Sequence, residues 1–163
     1  FILLFISCSD LPERKTVPAH RLSAAQQFLN NLRDSLKIEF SHTQSEQEIT
    51  ALIEKYHTLL QHYLFANPLD SIRVTVEEIS KNGWTVTTKF SDNDIEFKYG
   101  LTFKNSMSQR IDSVYKFMLG LEQGKDTTLN FSFTGASVIN NPADTTVPLI
   151  RIFAFPVPLG LSK

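Results

Sequence analysis

Apolar positions recur at helical spacing through the first part of the chain and then switch to alternation. Leu22, Ala25, Phe28, Leu29, Leu32 and Leu36 fall on one helical face. Ser23 precedes most of them and Gln26 lies three residues on, the spacing of a capping box. This pattern predicts a helix over 23–39. "SHTQS" interrupts it, and Ser45 with Glu48 opens a second capping box. Ile49, Leu52, Ile53, Tyr56, Leu59, Leu60, Tyr63 and Leu64 then form an unbroken stripe. It stops at Asn67-Pro68, because proline disfavours helix for the residue before it. The short connection predicts an antiparallel helical pair within 21–67.

From Ser71 the period becomes two. Ile72, Val74 and Val76 share one face, with Arg73, Thr75 and Glu77 on the other. Asn82-Gly83 is a hairpin signal, since both residues tolerate positive φ. Trp84, Val86, Thr88 and Phe90 alternate on the next strand. "SDND" turns the chain into Ile95, Phe97, Tyr99, Leu101 and Phe103. A third helix follows, capped by Ser106 and Gln109, lined by Met107, Ile111, Val114, Met118 and Leu121, and closed by Gly124. Leu129, Phe131 and Phe133 alternate up to Gly135, and "NNPADTTVP" connects them to Ile150–Phe155, which is almost wholly apolar. Pro156 and Pro158 predict that this last strand ends at a sheet edge. The strand is either covered by the helical pair or offers Phe153 and Phe155 as a candidate partner edge.

The fold class is α+β. A helical hairpin precedes a five-stranded antiparallel barrel or curved sheet over 70–158, with a helix between strands three and four, all in one domain over 21–163. That order is the element order of an OB-fold. "VYKFMLGLEQGKDTTLNFSFTGASV" resembles a recurring stretch of OB-like envelope proteins: helix, Leu-x-x-Gly-Lys, then an alternating strand ending near Gly. The same order also suits an open curved sheet of NTF2-like or cystatin-like type.

Residues 1–20 read differently. Phe1–Ile6 are all apolar and Ser7-Cys8 follow, with no initiator Met and no basic segment ahead. This pattern predicts the end of a secretory signal peptide rather than a membrane span, and the sequence is expected to start inside a longer gene product. Leu4-Phe5-Ile6-Ser7-Cys8 resembles a bacterial lipobox of the relaxed kind in Bacteroidota lipoproteins. The resemblance implies lipidation at Cys8, the only cysteine. Ser9-Asp10 is similar to the surface-export signal of that group. Ser9–His20, with two prolines, then reads as a tether from the outer membrane or cell surface.

Composition narrows the chemistry. Thirteen Phe against one Trp predict an aromatic core. Net charge is −1 with signs interspersed, which argues against nucleic acid. No cofactor motif occurs: there is no Gly-rich phosphate loop, no Cys pair and no His-Glu-x-x-His. Two Glu-x-x-His repeats, Glu39/His42 and Glu54/His57, have the i, i+3 spacing of carboxylate-bridged metal sites, but the further ligands such a site needs are not apparent. Asp92-Asn93-Asp94 with Glu96 has calcium-like oxygens yet lacks the glycine of the EF-hand loop, so a plain hairpin turn is the simpler reading. No catalytic constellation emerges. Trp84, Lys89 and Lys98 form a possible ligand face. Five of the eight Asp are followed by Ser or Thr, which resembles an O-glycosylation acceptor of Bacteroidota envelope proteins, with Ser71, Thr127 and Thr145 the accessible positions. The expected role is a lipid-anchored cell-envelope protein that binds or scaffolds, with an envelope protein or glycan as partner. The alternatives are a metal-dependent enzyme using Glu54 and His57, and a glycan or peptide module using Trp84.

Overall fold

Ser23 starts the first helix by accepting the Gln26 N–H on its hydroxyl at 3.1 Å. The computed structural model describes residues 22–82, 85–102, 109–141 and 147–157. Helix α1 spans Ala24–Ser41 and α2 spans Glu46–Ala66. At α2 both halves of the Ser45/Glu48 capping box form. At α1 only the Ser23 half does, because the Gln26 side chain is engaged elsewhere. Phe28 stacks on Tyr63 and Glu39 reaches Tyr56, contacts that run in opposite order along the two helices and make the pair antiparallel.

The buried stripe, Leu29, Leu32 and Leu36 on α1 with Leu52, Tyr56, Leu60 and Leu64 on α2, packs into one core with the sheet. Leu59 falls outside it and is exposed. The Tyr56 hydroxyl donates to Glu39 at 2.9 Å. Burial, then this bond and the Glu39 charge, push its pKa to about 12. The folded state therefore holds the phenol proton more tightly than the unfolded chain does. Its stabilising contribution is complete below pH 10 and is lost as pH rises from 10 towards 12. Ultraviolet titration should show one of the four tyrosines ionising well after an ordinary tyrosine; Tyr56→Phe should remove that late phase.

Five strands follow: β1 Leu69–Asn82, β2 Thr85–Asp92, β3 Ile95–Thr102, β4 Asp126–Asn140 and β5 Pro148–Val157, with α3, Gln109–Leu119, between β3 and β4 in the chain. Ser106 and Met107, expected at the start of α3, lie outside the described residues. The strands close into a barrel in the order β1-β2-β3-β5-β4, and β4 pairs back onto β1. The expectation of a wholly antiparallel sheet is corrected here. An odd ring of strands cannot alternate direction all the way round, and the mismatch falls between β3 and β5, which run parallel from Ile95↔Ile150 to Lys98↔Phe153. The expectation of a free edge at Phe153 and Phe155 is corrected with it. Phe153 is paired on both sides, to Lys98 and to Gly135. Phe155 packs against Val114 and Met118 of α3 and tilts onto Tyr99. The prolines mark a real feature, because the pairing to β3 ends at Phe153 and Pro156 has only β4 as neighbour among the described residues.

The two long strands each serve two neighbours. β1 pairs with β4 over Leu69–Thr75 and with β2 over Thr75–Asn82, bending at a bulge between Val76 and Glu78. Gly124 lies at φ +79 in the turn before β4, where its N–H donates to Val76 O at that bulge. It therefore serves this turn rather than capping α3. The interior carries Phe90, Phe97 and Phe131, with Phe131 in ring contact with each of the other two. Asn93 and Asp94 both take positive φ in the β2–β3 turn, as a type I′ turn requires. Inside the barrel the fully buried Thr88 hydroxyl has no hydrogen-bond partner. Thr88→Val removes that orphan at nearly constant volume, so a rise in stability of about 1 kcal/mol is expected by denaturant titration.

α1 is keyed to the barrel by Gln26, which is 2% exposed. Pairing of β1 with β2 starts only at Thr75, so the N–H of Arg73 has no strand on that side. Gln26 supplies the missing acceptor, taking the Arg73 N–H at 2.7 Å, and its amide donates to Asp92 at 2.6 Å. Lys37 pairs with Asp94 beside it.

Candidate functional site

Outward-facing residues on the barrel line up in register across strands. One row runs Glu78, Lys89, Lys98, Phe153 and Gly135, crossing all five strands. The next runs Thr75, Ser91, Glu96, Arg151 and Ser137. The structure thus brings Lys89, Lys98 and Phe153, expected on separate grounds, onto one surface.

The charges there are tied together. Lys89 pairs with Glu77 at 2.6 Å and lies 4.0 Å from Glu96, and Arg151 contacts Glu96 through two nitrogens at 2.9 and 2.8 Å. Burial pushes the Glu77 carboxyl up, but hydrogen bonds from Lys89 and Ser91 together with the lysine charge outweigh it and hold it below the usual range. The hydrogen bond to Glu77 holds Lys89 above the usual lysine range, against the opposing effect of burial. Lys98 stands apart. It lies directly opposite Lys89, a like-charge arrangement that disfavours a sheet, and among the described residues it has no ion-pair partner. Beside it Phe153 is 38% exposed, over the bare backbone of Gly135. An exposed ammonium next to an exposed ring can take a ligand that combines an anionic group with an apolar face.

Other expected positions are distributed differently. Cys8, Trp84 and Thr145 lie outside the described residues. Ser71 is exposed at φ +52, whereas Thr127 is half-buried within β4. Glu54 is exposed and His57 half-buried on α2, while Glu39 is held by Lys55 and Tyr56. Among the described residues no three His, Cys, Asp or Glu side chains converge as a metal site would need. The carboxylates of Asp92 and Asp94 are engaged by Gln26, Asn93 and Lys37. Among the described residues no helix is long and apolar enough to cross a membrane.

Arg151 is not singled out by sequence reasoning, and Glu96 enters it only beside the Asp92-Asn93-Asp94 turn, not as the partner of Arg151. A signal is present all the same: each is a charged residue on the apolar part of its strand. Compared with known proteins, the chain matches no family model, no curated protein and no solved structure.

Proposed function

We propose that this chain is a non-catalytic binding module of OB type, held at the cell envelope by a lipid on Cys8, with Lys98 and Phe153 at the centre of its ligand face. The closed order β1-β2-β3-β5-β4 with its one parallel pair supports the OB reading, and so does the place of α3 between β3 and β4. OB barrels use the surface of strands two and three for ligands, and Lys89 and Lys98 occupy that surface. The observation that carries the reading is Lys98. Its position opposite Lys89 does nothing for stability, so a role toward an anionic partner accounts for it better. That partner is an acidic glycan or an acidic protein segment of the envelope. A metal-dependent reaction at Glu54 and His57 rests on sequence spacing alone.

Two measurements test this. The mature protein, made in a bacterial host with its leader restored, should yield an N-terminal peptide beginning at diacylated Cys8. An unmodified Cys8 within a retained Phe1–Ile6 segment overturns the anchor. For the face, an oligogalacturonate and a Glu-rich peptide are titrated into isotope-labelled protein. Saturable shifts at Lys98 and Phe153, abolished by Lys98→Glu, are expected with at least one probe. Shifts elsewhere, or none, overturn the ligand face.

A further inference from the structure

A cleft that adjoins this face at Thr75 and Ser91 lies where α1 meets the barrel. It holds about 500 Å³ between the start of α1, β1 and the β2–β3 turn. A second cleft of about 760 Å³ continues it along β1 and β4, the two sharing Leu22, Arg73 and Asp126. Each is within the size range of small-ligand sites, but the lining is unlike that of an apolar pocket. Asp92, Asn93, Asn30 and Arg73 contribute carboxylate, amide and guanidinium groups, and Ser91 and Thr128 contribute hydroxyls.

The floor is preformed. Gln26 ties Arg73 to Asp92, while Asp126 accepts from the Thr75 hydroxyl at 2.7 Å and from Arg73 at 3.4 Å. One lining group is unsatisfied: the Oδ1 of Asn30 is buried and accepts no hydrogen bond. A buried acceptor without a donor is unfavourable, so a ligand that donates would satisfy it once the Asn30 side chain turns toward the cleft. Charge restricts the class further. Asp92 and Asp126 repel an anion, and Arg73 opposes a cation. A neutral ligand whose groups both donate and accept suits all of them, which is the chemistry of sugar hydroxyls.

We infer that this cleft is a binding site for a neutral saccharide, separate from the Lys98–Phe153 face and independent of the reading given to it. The test titrates cellobiose, maltose and chitobiose into labelled full-length protein and follows side-chain amides. Saturable shifts of the Asn30 and Asn93 amides, with Kd at or below about 1 mM for at least one disaccharide, are expected. Asn30→Leu and Arg73→Ala should each weaken binding about tenfold or more. Lys98→Glu should leave it unchanged, so failure here and failure of the barrel face are told apart. Three disaccharides that leave the Asn30 and Asn93 amides unmoved overturn the inference, as do shifts confined to Lys98 and Phe153.

Discussion

Arg151→Met is expected to destabilise the domain by about 3–5 kcal/mol, a large share of the stability of a domain this size. Glu96 is the reason. Its side chain is 8% accessible, and Arg151 makes two contacts to one of its oxygens. Without Arg151 the carboxylate remains buried, with Lys89 at 4.0 Å already committed to Glu77. The loss therefore reflects an abandoned charge more than the worth of the pair. Removing that charge as well, in Glu96→Gln/Arg151→Met, should recover at least half of the deficit. Urea denaturation of the three proteins separates the terms. If Arg151→Met alone costs under about 1 kcal/mol, the carboxylate has another partner and the argument fails.

Gln26→Leu should cost about 2–4 kcal/mol, although it places an apolar residue on the buried face of a helix. Two groups lose partners together: the N–H of Arg73 and the carboxylate of Asp92. The effect has a local signature that a packing defect would not produce. Amide exchange at Arg73 should accelerate far more than at Val76, whose N–H donates to Lys125 O. Equal acceleration at both would show that the substitution acts through packing alone.

Helices α1 and α2 are legible because their signal is redundant, with an apolar stripe and a capping residue agreeing at each and a proline stop closing the second. Ile72, Val74 and Val76 likewise declare their face by alternation. What alternation cannot show is which strand a residue meets. Ile150–Phe155 reads as an edge from its prolines, yet Ile150, Ile152 and Ala154 line the interior while Arg151 and Phe153 complete rows begun on β1 and β2. The bulge after Val76 is invisible because nothing in Glu77-Glu78 marks an extra residue. Gln26 misleads for a specific reason. Its spacing from Ser23 fits a local partner, and the real partners lie 47 and 66 positions away. The proposed ligand face is legible only in pieces, Lys89 and Lys98 as ligand-face residues and Phe153 as a partner-edge residue, because only register places the three in one row.

The parallel seam between β3 and β5 also bears on how the chain reaches this structure. The β1–β2 and β2–β3 pairings are made by neighbours in the chain, whereas the β3–β5 pairs, Ile95–Ile150 through Lys98–Phe153, must wait until α3 and β4 are in place. Contacts that close long loops form late, because loop entropy is lost before they return any enthalpy. The ring is therefore expected to zip from β1 through β3 and to shut last at its two long-range joints, β3–β5 and β1–β4. In pulse-labelling exchange during refolding, the amides of β2 should gain protection before that of Ile152. A barrel with this strand order thus has a built-in order of assembly, because β3–β5 and β1–β4 are seams that no hairpin can make.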